Sequence, residues 1–154
     1  MPSETKKSPF VITYQALSKL SLGCYQRFGE DAIPAIRDAW YEMGLELGER
    51  LKSKREIGDF KSAAEAINDL SFKLDELGGT LLELSDKAYH FRTKSAQPCA
   101  VGLGDAGRPI CEAVMSVNQG QFKSTCGVDV DMNIIQSRAT GADCCEVVFS
   151  PKGK

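Results

Sequence analysis

Three features of the sequence predict an α+β domain, with an N-terminal helical layer packed on a four-stranded antiparallel sheet that holds one inserted helix. Apolar residues recur at steps of three or four through most of the first half. After Gly78-Gly79 the pattern changes to alternation with period two. One further helical stretch, 109–124, falls between two pairs of strand-like segments. A chain of 154 residues is most simply one domain, 1–154, large enough to bury a core without disulfides. The stretches 1–8 and 150–154 read as loose tails.

The elements follow in order. Ile12, Ala16, Leu20 and Leu22 mark a first helix over 11–27, which Gly29 ends. Asp31 is a candidate N-cap for the next helix, 32–54, and Pro34 falls in its first turn, where proline is tolerated. Ile33, Ile36, Trp40, Met43, Leu47 and Leu51 give that helix one apolar stripe. Gly44 and Gly48 interrupt it at a cost of about 1 kcal/mol each relative to alanine. Close approach of another backbone, or of a ligand, accounts for them. A third helix over 59–77 buries Ala63, Ala66, Ile67, Leu70, Leu74 and Leu77 and stops at Gly78-Gly79. Leu82 and Leu84, then Tyr89 and Phe91, form a hairpin around Ser85-Asp86. A loop rich in glycine and proline, 97–109, leads to the helix over 109–124. Val128, Val130, Met132 and Ile134 alternate as a strand; Ala139-Thr-Gly-Ala142 turns it into the last strand, with Cys145, Val147 and Phe149 on one face.

Composition narrows the function. The net charge of -2 and the lack of a basic segment exclude a nucleic-acid surface. No apolar run reaches the roughly 18 residues of a membrane span. Met1 to Ser8 lack the apolar stretch of a secretory signal, so the expected location is cytoplasmic. Six cysteines in such a chain read as thiols or ligands, with plain burial the alternative for each.

Those cysteines hold the most informative constellation. Cys111 opens a helix, and Ser137 and Cys145 bracket the last hairpin, so thiols from distant parts of the chain can meet. With Cys99 in the preceding loop and His90, the single histidine, on a strand, four zinc-type donors surround one region: His90, Cys99, Cys111 and Cys145. No C-x-x-C pair accompanies them. A histidine flanked by Tyr89 and Phe91 can equally be a hydrogen-bonded structural residue, and no catalytic-triad pattern surrounds it. Gly102-Leu-Gly-Asp-Ala-Gly107 lacks the preceding strand of a phosphate cradle and reads as a flexible loop able to cover a pocket.

The stretch Ser137-Arg-Ala-Thr-Gly141-Ala-Asp-Cys-Cys145-Glu-Val, with the upstream helix Arg37-Asp-Ala-Trp40-Tyr-Glu-Met-Gly44-Leu-Glu-Leu-Gly48, resembles the 4-vinyl reductase (hydrocarbon-binding) domain family and the family named for L-2-amino-thiazoline-4-carboxylate hydrolase. The resemblance spans about residues 25–149. It implies a small-molecule-binding domain, and for zinc-containing sensor members one cysteine at the helix start and two flanking the final hairpin. Cys111 and Cys145 match the first and last; Ser137 stands at the middle position.

The functional expectation is a sensor-like domain that binds a small apolar or aromatic ligand between helix 32–54 and the sheet. Trp40, Met43, Tyr89, Phe91 and Met115 would line that pocket, with zinc at the cysteines. The alternative is a hydrolase of a small cyclic substrate of the 2-amino-thiazoline-4-carboxylate type, with Cys99 or Cys111 as nucleophile or a metal activating water. A homodimer through the N-terminal helices is expected in either case.

Overall fold

The computed structural model describes residues 9–75, 78–96, 99 and 101–153. Helix α1 runs Pro9–Phe28 and passes through a 3-10 turn, Gly29–Ala32, into α2, Ile33–Lys52. Asp31 lies inside that turn. Ala32 takes the N-cap position without a side-chain bond, because the chain arrives already helical and needs no cap. Pro34 sits in the first turn of α2, as expected.

The third helix is short. Helix α3, Phe60–Ala66, starts at a reciprocal cap in which Asp59 Oδ1 accepts the Ser62 amide at 2.8 Å and Ser62 Oγ accepts the Asp59 amide at 3.1 Å. It continues as a π turn, Ile67–Phe72, and ends where Lys73 turns left-handed. That is earlier than Gly78-Gly79. Leu77, expected on its buried face, lies outside the described residues.

Strands β1, Thr80–Leu84, and β2, Tyr89–Arg92, form the first hairpin. Helix α4, Arg108–Cys126, starts with Pro109 in its first turn and ends at Gly127, whose φ of +72° closes the helix onto the Lys123 carbonyl. Strands β3, Val130–Gln136, and β4, Glu146–Pro151, form the second hairpin across a 3-10 turn, Arg138–Thr140. The hairpins join β2 to β4, so the antiparallel sheet has the order β1-β2-β4-β3. The α+β fold is the one the periodicity predicts. The C-terminal end is less loose than expected: β4 continues to Pro151, and the Lys152 amide bonds the Asp129 carbonyl at 2.9 Å.

Helix α4 forms the middle layer, which places the candidate site. A Cβ on Gly44 would run into the Val117 carbonyl, one on Gly48 into Ser124, and one on Gly120 into the Tyr41 carbonyl. The glycines of α2 therefore admit the backbone of α4. The other side of α4 meets the sheet, with Phe122 5.7 Å from Phe149 and stacked at 4.9 Å on Phe60. Eleven of its 19 residues are buried. A pocket between α2 and the sheet, as expected from sequence, has no room, because α4 fills that space.

Candidate functional site

Strand alternation divides the sheet into two chemically distinct faces. Tyr89 and Phe91 on β2 share register with Phe149 and Val147 on β4, and all four side chains point toward α4. His90, Arg92, Glu146 and Gln136 occupy the opposite face. There Glu146 Oε1 lies 3.1 Å from His90 Nε2 and 3.3 Å from Arg92 Nη2, and Gln136 Nε2 donates to Oε2 at 3.3 Å. Burial opposes ionisation of Glu146, but its three donors outweigh it and hold the carboxyl below its ordinary value. His90 is thus a partner of Glu146, one sheet thickness away from the thiols.

The helix-facing side carries a partly open cavity of about 80 Å³. Phe91, Thr93 and Val147 form its sheet wall, Cys111 and Met115 come from α4, and Cys99, Val101 and Leu103 come from the loop before α4. Phe72 closes it from the π turn, its ring 4.8 Å from that of Phe91; Ile134, Ser137 and Cys145 complete the lining from the second hairpin. The lining is almost wholly apolar, with four sulfur atoms, from Cys99, Cys111, Met115 and Cys145.

Ser137 is the polar element deepest in the wall, with 2% of its surface exposed. Its hydroxyl accepts the Ala139 amide at 3.1 Å and meets Cys111 Sγ at 3.3 Å. Cys145 Sγ accepts the Arg138 amide at 3.4 Å, and its backbone is fixed by Thr93, whose Oγ1 accepts the Cys145 amide at 2.9 Å. Burial raises the thiols of both Cys111 and Cys145, so each is held protonated; the Ser137 hydroxyl partly counters this at Cys111.

The structure thus gathers Cys99, Cys111, Cys145, Phe91 and Met115 around one cavity, and leaves the other expected residues elsewhere. Trp40 is fully buried against α1: its Nε1 donates to Ser21 Oγ at 2.9 Å and its ring meets Tyr14 edge-on at 5.0 Å. Met43 is a partly buried neighbour of the core. Tyr89 points the same way as Phe91 but lies beyond the cavity, where its hydroxyl donates to Asn68 at 2.9 Å. The predicted zinc set does not fit. His90 is on the wrong face, and among the described residues no three His, Cys, Asp or Glu side chains converge as a metal ion requires. Among the described residues no His, Asp or Glu lines this cavity, so the hydrolase expectation finds no support there.

Phe72, Val101 and Leu103 were missed. Each reaches the cavity from a turn or loop, where periodicity assigns no face.

A second apolar feature runs along the surface between α1 and α2. This groove, of about 530 Å³, is bordered by Leu17, Cys24, Ala32 and Ile36, and by Leu20 and Phe28, which are 64% and 59% exposed. It is open along its length, and so offers a ridge and furrow to a surface more readily than an enclosure to a small molecule.

No protein-family model matches the chain, and no curated protein sequence matches it. Solved structures do share its fold. A trafficking protein particle complex subunit 3 from Naegleria fowleri, covalently bound to palmitic acid, superposes with a TM-score of 0.63 at 17% identity, covering 92% of this chain and 96% of that one. The phenol-responsive sensory domain of the transcription activator PoxR, solved with phenol, superposes with a TM-score of 0.58 at 15% identity, covering 90% and 74%. No helix among the described residues is long and apolar enough to cross a membrane.

Proposed function

We propose that this chain is a small-molecule-binding domain that takes a small, largely apolar ligand into the cavity between α4, the helix-facing side of the sheet and the loop of Cys99, Val101 and Leu103. The observation that carries this reading is the cavity itself: a partly open apolar volume with one deeply buried hydroxyl, Ser137, in its wall. Two structures of this fold hold small molecules, a fatty acid in one and phenol in the other, which supports the same reading.

Size decides between ligand classes. An engineered apolar cavity of about 150 Å³ holds benzene. The 80 Å³ here is roughly half that. A single ring therefore enters only when the mouth gives way, and a long-chain fatty acid requires far more room. The mouth has room to change shape: Gly102 and Gly104 take positive φ, and a side chain added at either would meet no neighbouring atom. Small monocyclic ligands with one polar substituent fit best, the ring against Phe91 and Met115 and the substituent on Ser137. Calorimetric titration with phenol, cyclohexanol and decanoate tests this. Saturable binding of the ring compounds, weakened when Met115→Trp fills the cavity, is the expected result. Binding that survives Met115→Trp places the ligand elsewhere.

We infer that two copies of the chain pair through the α1–α2 groove. Leu20 and Phe28 protrude beside a furrow lined by Ala32, Ala35, Ile36 and Ala39, so one face carries both ridge and groove, as a two-fold interface requires. Asp31 lines the furrow, and the Arg27 guanidinium lies 5.7 Å from the centre of the Phe28 ring.

A further inference from the structure

Resting on the ligand-binding reading of the same cavity, we propose that Cys99 captures small apolar electrophiles of the α,β-unsaturated carbonyl class by covalent addition. Cys99 lies at a threshold. It lines the apolar cavity, and it also lines an open polar depression of about 410 Å³ bordered by Asp105, Arg138 and Asp143. Cys111 and Cys145 line the apolar cavity alone. Both are kept as thiols by burial, with Cys111 against the Ser137 hydroxyl and Cys145 accepting the Arg138 amide. The thiolate is the attacking species, so these inner sulfurs react slowly. Cys99 and Cys145 are both half-buried, but of the three thiols Cys99 alone also borders the open depression, so an electrophile can reach its sulfur from that side.

The two-sided surroundings of Cys99 match the two ends of an enone. The apolar end enters against Phe91, Met115 and Val147. The carbonyl end stays in the depression with the Arg138 guanidinium, which is anchored on the Asp143 carbonyl. Sulfur attack on the β-carbon forms one S–C bond and shifts the C=C π pair toward the carbonyl oxygen as an enolate. Arg138 stabilises that charge where it develops. The proton lost by the thiol returns through water to the α-carbon. Nothing leaves and no oxidant is consumed.

The test uses the reduced full chain, 2-cyclohexen-1-one as probe, acrylamide as a small polar Michael acceptor, and peptide-resolved mass spectrometry of each cysteine. The ratio of enone to acrylamide rates is expected to be about tenfold higher at Cys99 than at Cys24, because binding positions the ring before it reacts. The Cys99 rate should saturate with enone concentration, and unreactive cyclohexanone should slow Cys99 alone. Cys99→Ser should remove the fast adduct, and cyclohexanone binding to the unsubstituted chain is followed by the Met115 methyl signal in NMR. Equal ratios at Cys99 and Cys24 with cyclohexanone still bound would overturn covalent capture and leave the ligand pocket standing. Equal ratios with no cyclohexanone binding would overturn both.

Discussion

Two buried polar contacts show how single residues fix this molecule. Trp40 Nε1 donates to Ser21 on α1, and Tyr89 donates to Asn68 in the π turn. Removing one partner leaves the other buried and unsatisfied, which costs about 1–3 kcal/mol. Ser21→Ala and Tyr89→Phe should each lower stability by that amount in urea denaturation; values near zero would mean that water replaces the lost group. Glu146 sets a pH dependence. Its folded carboxyl is held below the ordinary 4.5, so its stabilisation is present above that value and lost as pH falls through the depressed one. Wild-type melting temperature should therefore drop more steeply than that of Glu146→Gln on acidification below pH 4.5, and parallel curves would remove Glu146 from the account. At this scale the sequence was partly legible. The three thiols Cys99, Cys111 and Cys145 do share one cavity, as their placement on a loop, a helix start and a hairpin end suggested. His90 does not join them, and the reason is alternation: with Phe91 facing inward, its neighbour must face out. Trp40 was recognisably buried, but a helical stripe does not say which layer covers it.

The helices meet through glycine. Gly44 and Gly48 of α2 and Gly120 of α4 bring two backbones into contact, and an added methyl meets carbonyl oxygen or the half-buried Ser124 hydroxyl. Alanine favours an isolated helix by about 1 kcal/mol, yet overpacking costs about 1–3 kcal/mol and here falls against backbone that cannot rotate away. Gly44→Ala and Gly120→Ala are thus expected to destabilise, despite better propensity; a rise in denaturation midpoint would contradict the close approach. Asp59→Ala removes half of a reciprocal cap on a short helix and should lower the denaturation midpoint. Element types were readable because each long segment kept one period. Layer order was not, since both α2 and α4 carry apolar stripes and only the glycine contacts reveal that they face each other. The end of α3 was misplaced because Lys73, not glycine, takes the left-handed turn.

At the scale of the whole molecule, two apolar features stand out among the described residues: the partly open cavity beside α4 and the open groove of α1 and α2. They differ in what they suit. The groove carries its own protruding Leu20 and Phe28, so Leu20→Glu should shift the mass seen by light scattering from two chains to one; an unchanged mass would reject pairing through this face. The cavity is the smaller and the less open of the two, with Cys99, Val101 and Leu103 of the loop before α4 in its lining. The most direct measurement of ligand binding is a methyl NMR titration of the chain with phenol, following Met115, Val147 and Ile134 at the cavity against Leu17, Leu20 and Ile36 at the groove. Saturable shifts at the first set, lost in a folded Met115→Trp variant, are the predicted result; shifts confined to the second set, or none at all, would contradict it.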